Sequence, residues 1–245
     1  MNRLLEIACI VETGIRPSND DRAAVNSTLI AQGVHTEIVE ETSLIVLCDG
    51  LGGEAYGNEA AEIVTDIFSR LSGSVLTTDI ITEHIDKANE AVIAAQSKAY
   101  SHSKMSTTIA GLYIHGDDFI AFNVGDSRIY RYRSEYISQL STDHSVRQEQ
   151  IELGLTPKPG QEDFVTHFIG GSCSVPEIVE GFGRVFENDI FVLCTDGLWS
   201  FLEDSDFEAI LSKDLSVEES CKALVDMAFQ KGSDDNLSAI ILRRI

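Results

Sequence analysis

"CDGLGG", Cys48 to Gly53, decides how this chain is read. An apolar run, "SLIVL" (Ser43 to Leu47), leads into it, and "EAYGNEAAEIVTDIFSRL" follows with its apolar residues at helical spacing. Counted from Gly50, "GLGGEA" fits G-x-G-x-x-G/A, the glycine pattern of a turn that cradles a dinucleotide pyrophosphate between strand and helix. Asp49, however, stands directly before the first glycine. A carboxylate there meets a pyrophosphate with like charge, but it suits a cation. The fingerprint also requires an acidic residue about 20 positions on, at the end of a second strand. The chain after Leu71 reads "SGSVLTTDIITEHIDKANEA" and becomes another helix instead. A Walker lysine pattern is absent as well. The dinucleotide-binding oxidoreductase therefore stays only as a remote reading.

The same grammar, an apolar strand beside an aspartate turn, recurs along the chain. It is found in "IAFNVGDS" (Asp126), "IFVLCTDG" (Asp196) and "GSDDNLSAIIL" (Asp234, Asp235). A further acidic site, "RPSNDD" (Asp20, Asp21), follows the first strand. Any one of these is an ordinary turn, since Asp and Gly are turn residues. Gathered at the ends of core strands, their carboxylates would repel each other unless a cation lay among them. A ligand set made of oxygen alone favours Mg²⁺ or Mn²⁺ over zinc.

The chain has 245 residues, 43% hydrophobic and 24% charged, with no repeat and no linker, and reads as a single domain over 1–245. Its net charge of −22, from 18 basic and 40 acidic residues, argues against a nucleic acid or an anionic membrane as the default partner. No apolar run approaches the roughly 20 residues of a membrane span. The start, "MNRLLEIACIVETG", is broken by Glu6 and Glu12 and reads as a strand rather than a signal peptide. A cytoplasmic monomer is the expectation. Cys9, Cys48, Cys173, Cys194 and Cys221 are widely spaced with no CxxC pair, so they read as buried thiols.

Strands are expected at Leu4–Glu12, Ser43–Cys48, Thr107–Ile114, Phe119–Val124, Arg128–Arg133, Tyr136–Leu140, Asp189–Cys194 and Leu237–Arg243. The middle of the chain reads as an antiparallel meander. Helical stripes run through Ala60–Leu71, Ile81–Ala99 and Val217–Ala228, with a shorter helix over Asp204–Leu211. Ser216 and Glu219 have capping-box spacing. Two long helices followed by a run of strands fit α+β.

At these residues the sequence resembles the metal-dependent protein serine/threonine phosphatases of type 2C, in their compact bacterial form. "TGIRPSNDD" is similar to the family's opening G-x-x-R-x-x-N-x-D, and "CDGLGGEAYGNEA" to DGMGGH-x-x-GE. "STTIAGLYIHGDDFIAFNVGDSRIYRYR" is similar to the GTT…VGDSR region, and "ISQLSTDHS" to L-T-x-DHS. "CTDGLW" and "SDDNLSAIIL" resemble the SDGL and closing DN elements. The resemblance implies an αββα sandwich, two antiparallel β-sheets flanked by helices, with a Mg²⁺ or Mn²⁺ pair at one edge. By position, it makes Asp49 the bridge between two ions, with the Gly50 carbonyl helping to hold one. Asp196 and Asp235 complete the other, and Asp20 and Asp21 bind directly or through water. Asp126, with Asp196, serves a third, weaker ion. Arg16 binds the substrate phosphate, a role that suits a planar cation with paired donors.

The chain departs from the family pattern at Leu51, where animal members carry histidine, at Glu54, where bacterial relatives usually show histidine, and at Asp20, where Glu or Gln is usual. Arg128 reads as the partner of a carboxylate, His144 as a loop-orienting histidine or a capping or surface one, and Trp199 as core or rim packing. "LGLTPKPGQED" (Leu153 to Asp163) falls where the family carries a flap, about 145–165. The implied activity is hydrolysis of phosphoserine and phosphothreonine in proteins, counteracting a Ser/Thr kinase. A phosphatase-like binding module without catalysis is the competing reading.

Overall fold

The computed structural model describes residues 4–51, 56–99, 105–157, 164–172, 174–180 and 184–245. Gly52, Gly53, Glu54, Cys173 and the centre of the flap-like stretch lie outside them.

The chain begins with β1 (Leu4–Glu12), β2 (Arg22–Val25), β3 (Thr28–Ile30), β4 (Gly33–Glu40), β5 (Thr42–Cys48) and the short β6 (Gly50–Leu51). Two helices follow, α1 (Gly57–Ser69) and α2 (Thr78–Ala99). Next come β7 (Ser106–Thr107), β8 (Ile109–His115), β9 (Asp118–Val124), β10 (Arg128–Arg133), β11 (Tyr136–Gln139), α3 (Val146–Glu152) and β12 (Glu177–Glu180). The last stretch holds β13 (Ile190–Cys194), α4 (Asp196–Trp199), α5 (Asp204–Leu211), α6 (Val217–Gln230) and β14 (Leu237–Arg244).

Two 6-stranded sheets form, β11-β10-β13-β14-β1-β4 and β12-β9-β8-β5-β2-β3, and a small third pairs β6 with β7. Every ladder between these strands is antiparallel. A dinucleotide turn needs parallel βαβ units, so the fold excludes that reading of "CDGLGG". Strands with alternating faces explain the layers. On β1, Ile7, Cys9 and Val11 face the second sheet and pack with Ile45, Leu47, Leu112 and Phe191. Ala8 and Ile10 face the other way, onto Phe207, Leu224 and Ala228 of α5 and α6. On the second sheet Leu44, Val46 and Phe122 turn outward to Val64 and Phe68 of α1 and Ile81, Ile85 and Val92 of α2. The result is the αββα sandwich, of α+β class.

The expected central meander is divided. β8 pairs β9 in one sheet and β10 pairs β11 in the other, and the chain crosses between sheets at Gly125–Ser127. Gly125 makes the crossing with φ +114, a conformation that L side chains rarely adopt. β2, β3 and β4 were not expected from the sequence. β2 and β3 are short, and β4, "GVHTEIVE", is an edge strand that leaves Val34 and Ile38 exposed. The stretch read as one strand from Thr107 is interrupted at Thr108, between β7 and β8.

Register brings the aspartate turns together. In the first sheet Glu12 opposes Leu237, Cys194 opposes Ala239 and Arg128 opposes Cys194. In the second, Arg22 opposes Cys48, Leu47 opposes Ala110 and Ile109 opposes Val124. Asp20 and Asp21, Asp49, Asp126, Asp196 and Asp235 therefore all leave the same end of the sandwich.

Candidate metal centre

The carboxylates sit on rigid supports. Asp49 lies between β5 and β6, and its backbone is held on both sides. Its N–H donates to Thr108 Oγ1 (3.0 Å), and its carbonyl accepts from Thr107 Oγ1 (2.7 Å) and the Thr108 N–H (2.9 Å). Gly50 stands against the start of α1. A Cβ on Gly50 would come within 2.4 Å of the Gly57 carbonyl carbon, and one on Gly57 within 2.6 Å of the Gly50 oxygen. Here is a physical role for glycine in "DGLGGEAYG" that needs no nucleotide: the helix start presses on the backbone beside Asp49.

Asp196 opens α4 at the end of β13. Asp21 is buried and accepts from Thr195 Oγ1 (3.1 Å). Asp126 is buried beyond β9. Asn236, which sequence reasoning did not single out, fastens the Arg16 loop to β14. Its Oδ1 accepts from the Asp20 N–H (2.9 Å), and its Nδ2 donates to the Thr13 and Ser18 carbonyls (2.9 Å each). Arg16 donates from Nε to the Asp234 carbonyl (2.8 Å) and from a terminal nitrogen to Asp235 Oδ2 (2.7 Å). A buried amide with its partners on three separate backbone groups would be a signal only if the loop's proximity were already known.

Two adjoining cavities meet over these groups. One, about 620 Å³, is lined by Arg16, Asp20, Asp49, Gly50, Asp196 and Asp235 among others. Its neighbour, about 580 Å³, is lined by Asp126, Arg128, Asp143, Asp196, Trp199 and Asp235 among others. The candidate site residues named from the sequence thus come together; Asp21 alone among them does not line either cavity, being buried beside Asp49, Asp196 and Asp235. Arg128 does pair with a carboxylate: Nε and a terminal nitrogen hold Asp143 at 3.0 and 2.7 Å, and the guanidinium lies 3.5 Å from the Trp199 ring centroid. Trp199 is therefore a rim residue. His144 is the loop-orienting kind, its Nδ1 accepting the Gly125 N–H at 3.1 Å. Burial, then the nearby His167, lowers its pKa to about 4, so this acceptor stays neutral.

The electrostatics call for a cation. Burial, then the neighbouring Asp21, Asp196, Asp126 and Asp235 charges, raises the Asp49 carboxyl well above the usual range. Burial also pushes Asp21 up to about 7, aided by Asp196 and Asp235. Asp126 rises to about 7 through burial and then Asp196. Asp196 is raised by burial and then Asp235, with the Asp49 carboxyl close by. Carboxyls raised in this way hold protons at the place where a divalent ion would supply charge instead. Among the described residues no three acidic, thiol or imidazole side chains close around a point as a finished cage. An open, all-oxygen cluster fits Mg²⁺ or Mn²⁺, because Mg²⁺ keeps several waters and shares its shell with phosphate.

With this geometry in view, the relatives are informative. A family model described as Protein phosphatase 2C matches residues 31–239. The chain is similar to protein phosphatase PhpP of Streptococcus pneumoniae serotype 2, 30% identical over 214 residues, covering 82% of this chain and 85% of that one. It is also similar to serine/threonine phosphatase stp of Listeria welshimeri serovar 6b, 24% identical over 247 residues and covering 94% and 92%. The solved S. agalactiae serine/threonine phosphatase superposes with a TM-score of 0.84 at 26% identity, over 98% of this chain and 99% of that one. The catalytic domain of PstP, solved in complex with two manganese ions, shares the fold with a TM-score of 0.82 at 22% identity, over 99% of each chain. The chain belongs to the protein phosphatase 2C family. It is a hydrolytic phosphatase of that metal-dependent family.

Proposed function

We propose that this protein removes phosphate from phosphoserine and phosphothreonine in proteins at a binuclear Mg²⁺ or Mn²⁺ centre, and that it opposes a Ser/Thr kinase. The observation that carries this reading is the set of mutually repelling carboxylates at one edge, with Arg16 beside them. Asp49 would stand between two ions, with the Gly50 carbonyl on one and Asp196 and Asp235 on the other. Asp20 and Asp21 would bind directly or through water, and Asp126 with Asp196 would hold a third, weaker ion. When bound, such a pair supplies an acidified water as nucleophile near neutral pH and neutralises charge on the phosphoryl group.

The chain's own residues do the rest. Arg16, half-exposed on the rim, offers a planar fork to the substrate phosphate and orients it over the aspartates. Asn236 and the Thr107–Thr108 pair hold that loop and the Asp49 backbone still. Direct transfer to water needs no covalent enzyme intermediate, so no nucleophilic side chain is called for. The two manganese ions in the PstP catalytic domain fit this reading.

Release of phosphate from a phosphothreonine peptide tests it, measured with Mn²⁺, with EDTA, and with Asp196→Asn. Turnover that requires Mn²⁺ and is lost in the variant is expected. Turnover in EDTA, or a fully active variant, would overturn the proposal. Tight Mn²⁺ binding with no turnover would favour the binding module instead.

A further inference from the structure

Thr108 is fully buried between two of the aspartate turns. Asp49 lies outside the ladders on either side of it, and Thr108 Oγ1 supplies the acceptor for its N–H at 3.0 Å. The same oxygen lies 2.7 Å from Ser127 Oγ, a buried hydroxyl directly after Asp126. On the other side of Asp126 the Thr108 methyl packs against Gly125, where an added Cβ would come within 2.6 Å of it. One side chain therefore touches the backbone of Asp49 and both neighbours of Asp126. Thr107 differs, since its hydroxyl donates to the Asp49 and Thr108 carbonyls.

We infer that Thr108 is a positioning residue that makes the Asp49 and Asp126 carboxylates one mechanical unit, through the chain Asp49 N–H, Thr108 Oγ1, Ser127 Oγ. The inference rests on the metal reading above. A buried N–H that loses its acceptor pulls its backbone toward another partner. At Asp49 that movement carries the carboxylate with it. Uptake of an ion at Asp49 then fixes the Asp126 turn as well, because the hydroxyl between them serves both. Groups that orient the ligands of a metal commonly change its affinity by roughly 10–100-fold when removed.

Valine and serine separate the two parts of this side chain. Thr108→Val keeps the shape and the methyl on Gly125 and removes the hydroxyl. Thr108→Ser keeps the hydroxyl and removes the methyl. The test is calorimetric titration of the full chain with Mn²⁺, with melting temperatures measured with and without the ion. Thr108→Val is expected to bind Mn²⁺ about tenfold or more weakly and to show a smaller Mn²⁺-induced rise in melting temperature. Thr108→Ser restores most of that affinity. Ser127→Ala weakens binding less, and the double variant binds no more weakly than Thr108→Val alone.

A Thr108→Val protein with unchanged affinity and an unchanged Mn²⁺-induced rise, whatever its metal-free melting temperature, would mark the residue as merely structural. Additive losses in the double variant would overturn the relay. If Thr108→Val does not fold, Ser127→Ala decides: a loss of affinity with unchanged metal-free melting supports the relay, and no loss overturns it. A wild-type chain that takes up no Mn²⁺ overturns the metal reading itself.

Discussion

Arg16 illustrates how little room the site leaves at the scale of a residue. Its guanidinium already spends one edge on the Asp234 carbonyl and Asp235, and the side chain remains 49% exposed toward the cleft. A lysine there would keep the charge and lose the fork. Arg16→Lys is expected to raise KM for a phosphothreonine peptide about tenfold, with a smaller fall in kcat, because two charge-assisted bonds become one. Equal kinetics in the two proteins would remove Arg16 from phosphate binding. The buried aspartates make a second prediction. Asp21 and Asp126 have pKa values of about 7 in the fold against an ordinary 3.8. Between about pH 4 and 7 the folded, metal-free chain thus holds protons that the unfolded chain has released, and these groups subtract stability as pH rises through that window. Deprotonation is also what metal binding requires, so Mn²⁺ affinity should climb over the same range. Melting curves of metal-free wild type and Asp126→Asn at pH 5 and pH 7.5 check the sign: the variant should gain on wild type as pH rises. A gap that stays constant would place the Asp126 titration elsewhere. The aspartates were legible in the sequence because each sits beside a glycine, serine or asparagine turn at a strand end. Thr108 and Asn236 were not, because their importance lies in partners 59 and 216 residues away.

At the scale of an element, α1, α2, α5 and α6 are legible in the sequence, while α3, α4 and several strands are not. α6 follows its apolar stripe, and its first turn carries the capping box. Ser216 Oγ accepts from the Glu219 N–H (3.2 Å), and Glu219 Oε2 accepts from the Ser216 N–H (2.9 Å). Ser216→Ala should cost about 1 kcal/mol of stability, read by denaturant unfolding, and leave kcat per folded molecule unchanged, since α6 packs away from the cleft. α3 has no apolar stripe to read, because none of its residues is buried. β4 is hard to read because its outward positions include Val34 and Ile38 while His35 and Glu37 lie on the half-buried side, the reverse of the usual alternation. The start of α1 offers a sharper test of the site. A Cβ at Gly57 would lie 2.6 Å from the Gly50 oxygen, so Gly57→Ala must push aside the carbonyl assigned to an ion. Weaker Mn²⁺ binding by calorimetry is expected, and unchanged binding would free Gly50 from that role.

The whole molecule explains why an acidic chain carries an anion-processing site. Its net charge of −22 repels a phosphoester at long range, so the local field at the cleft has to be reversed by what the carboxylates bind. The sandwich makes that possible, because two sheets stacked face to face end together, and turns from both sheets converge at one edge. This convergence was foreseen only through the family resemblance. The residues alone indicated turns at strand ends, not which ends would meet, because register and sheet order are properties of pairing between distant segments. Cys9, Cys48, Cys194 and Cys221 are free and buried, as the sequence implied, and burial raises each thiol's pKa. Among the described residues no helix is long and apolar enough to cross a membrane.

The most direct test is a crystal soaked in Mn²⁺ and measured at the manganese absorption edge. Two anomalous peaks on either side of the Asp49 carboxylate are expected, one of them also touching Asp196 and Asp235. A map with no peak at Asp49, from crystals that bind Mn²⁺ elsewhere or not at all, would contradict the metal centre and the chemistry built on it.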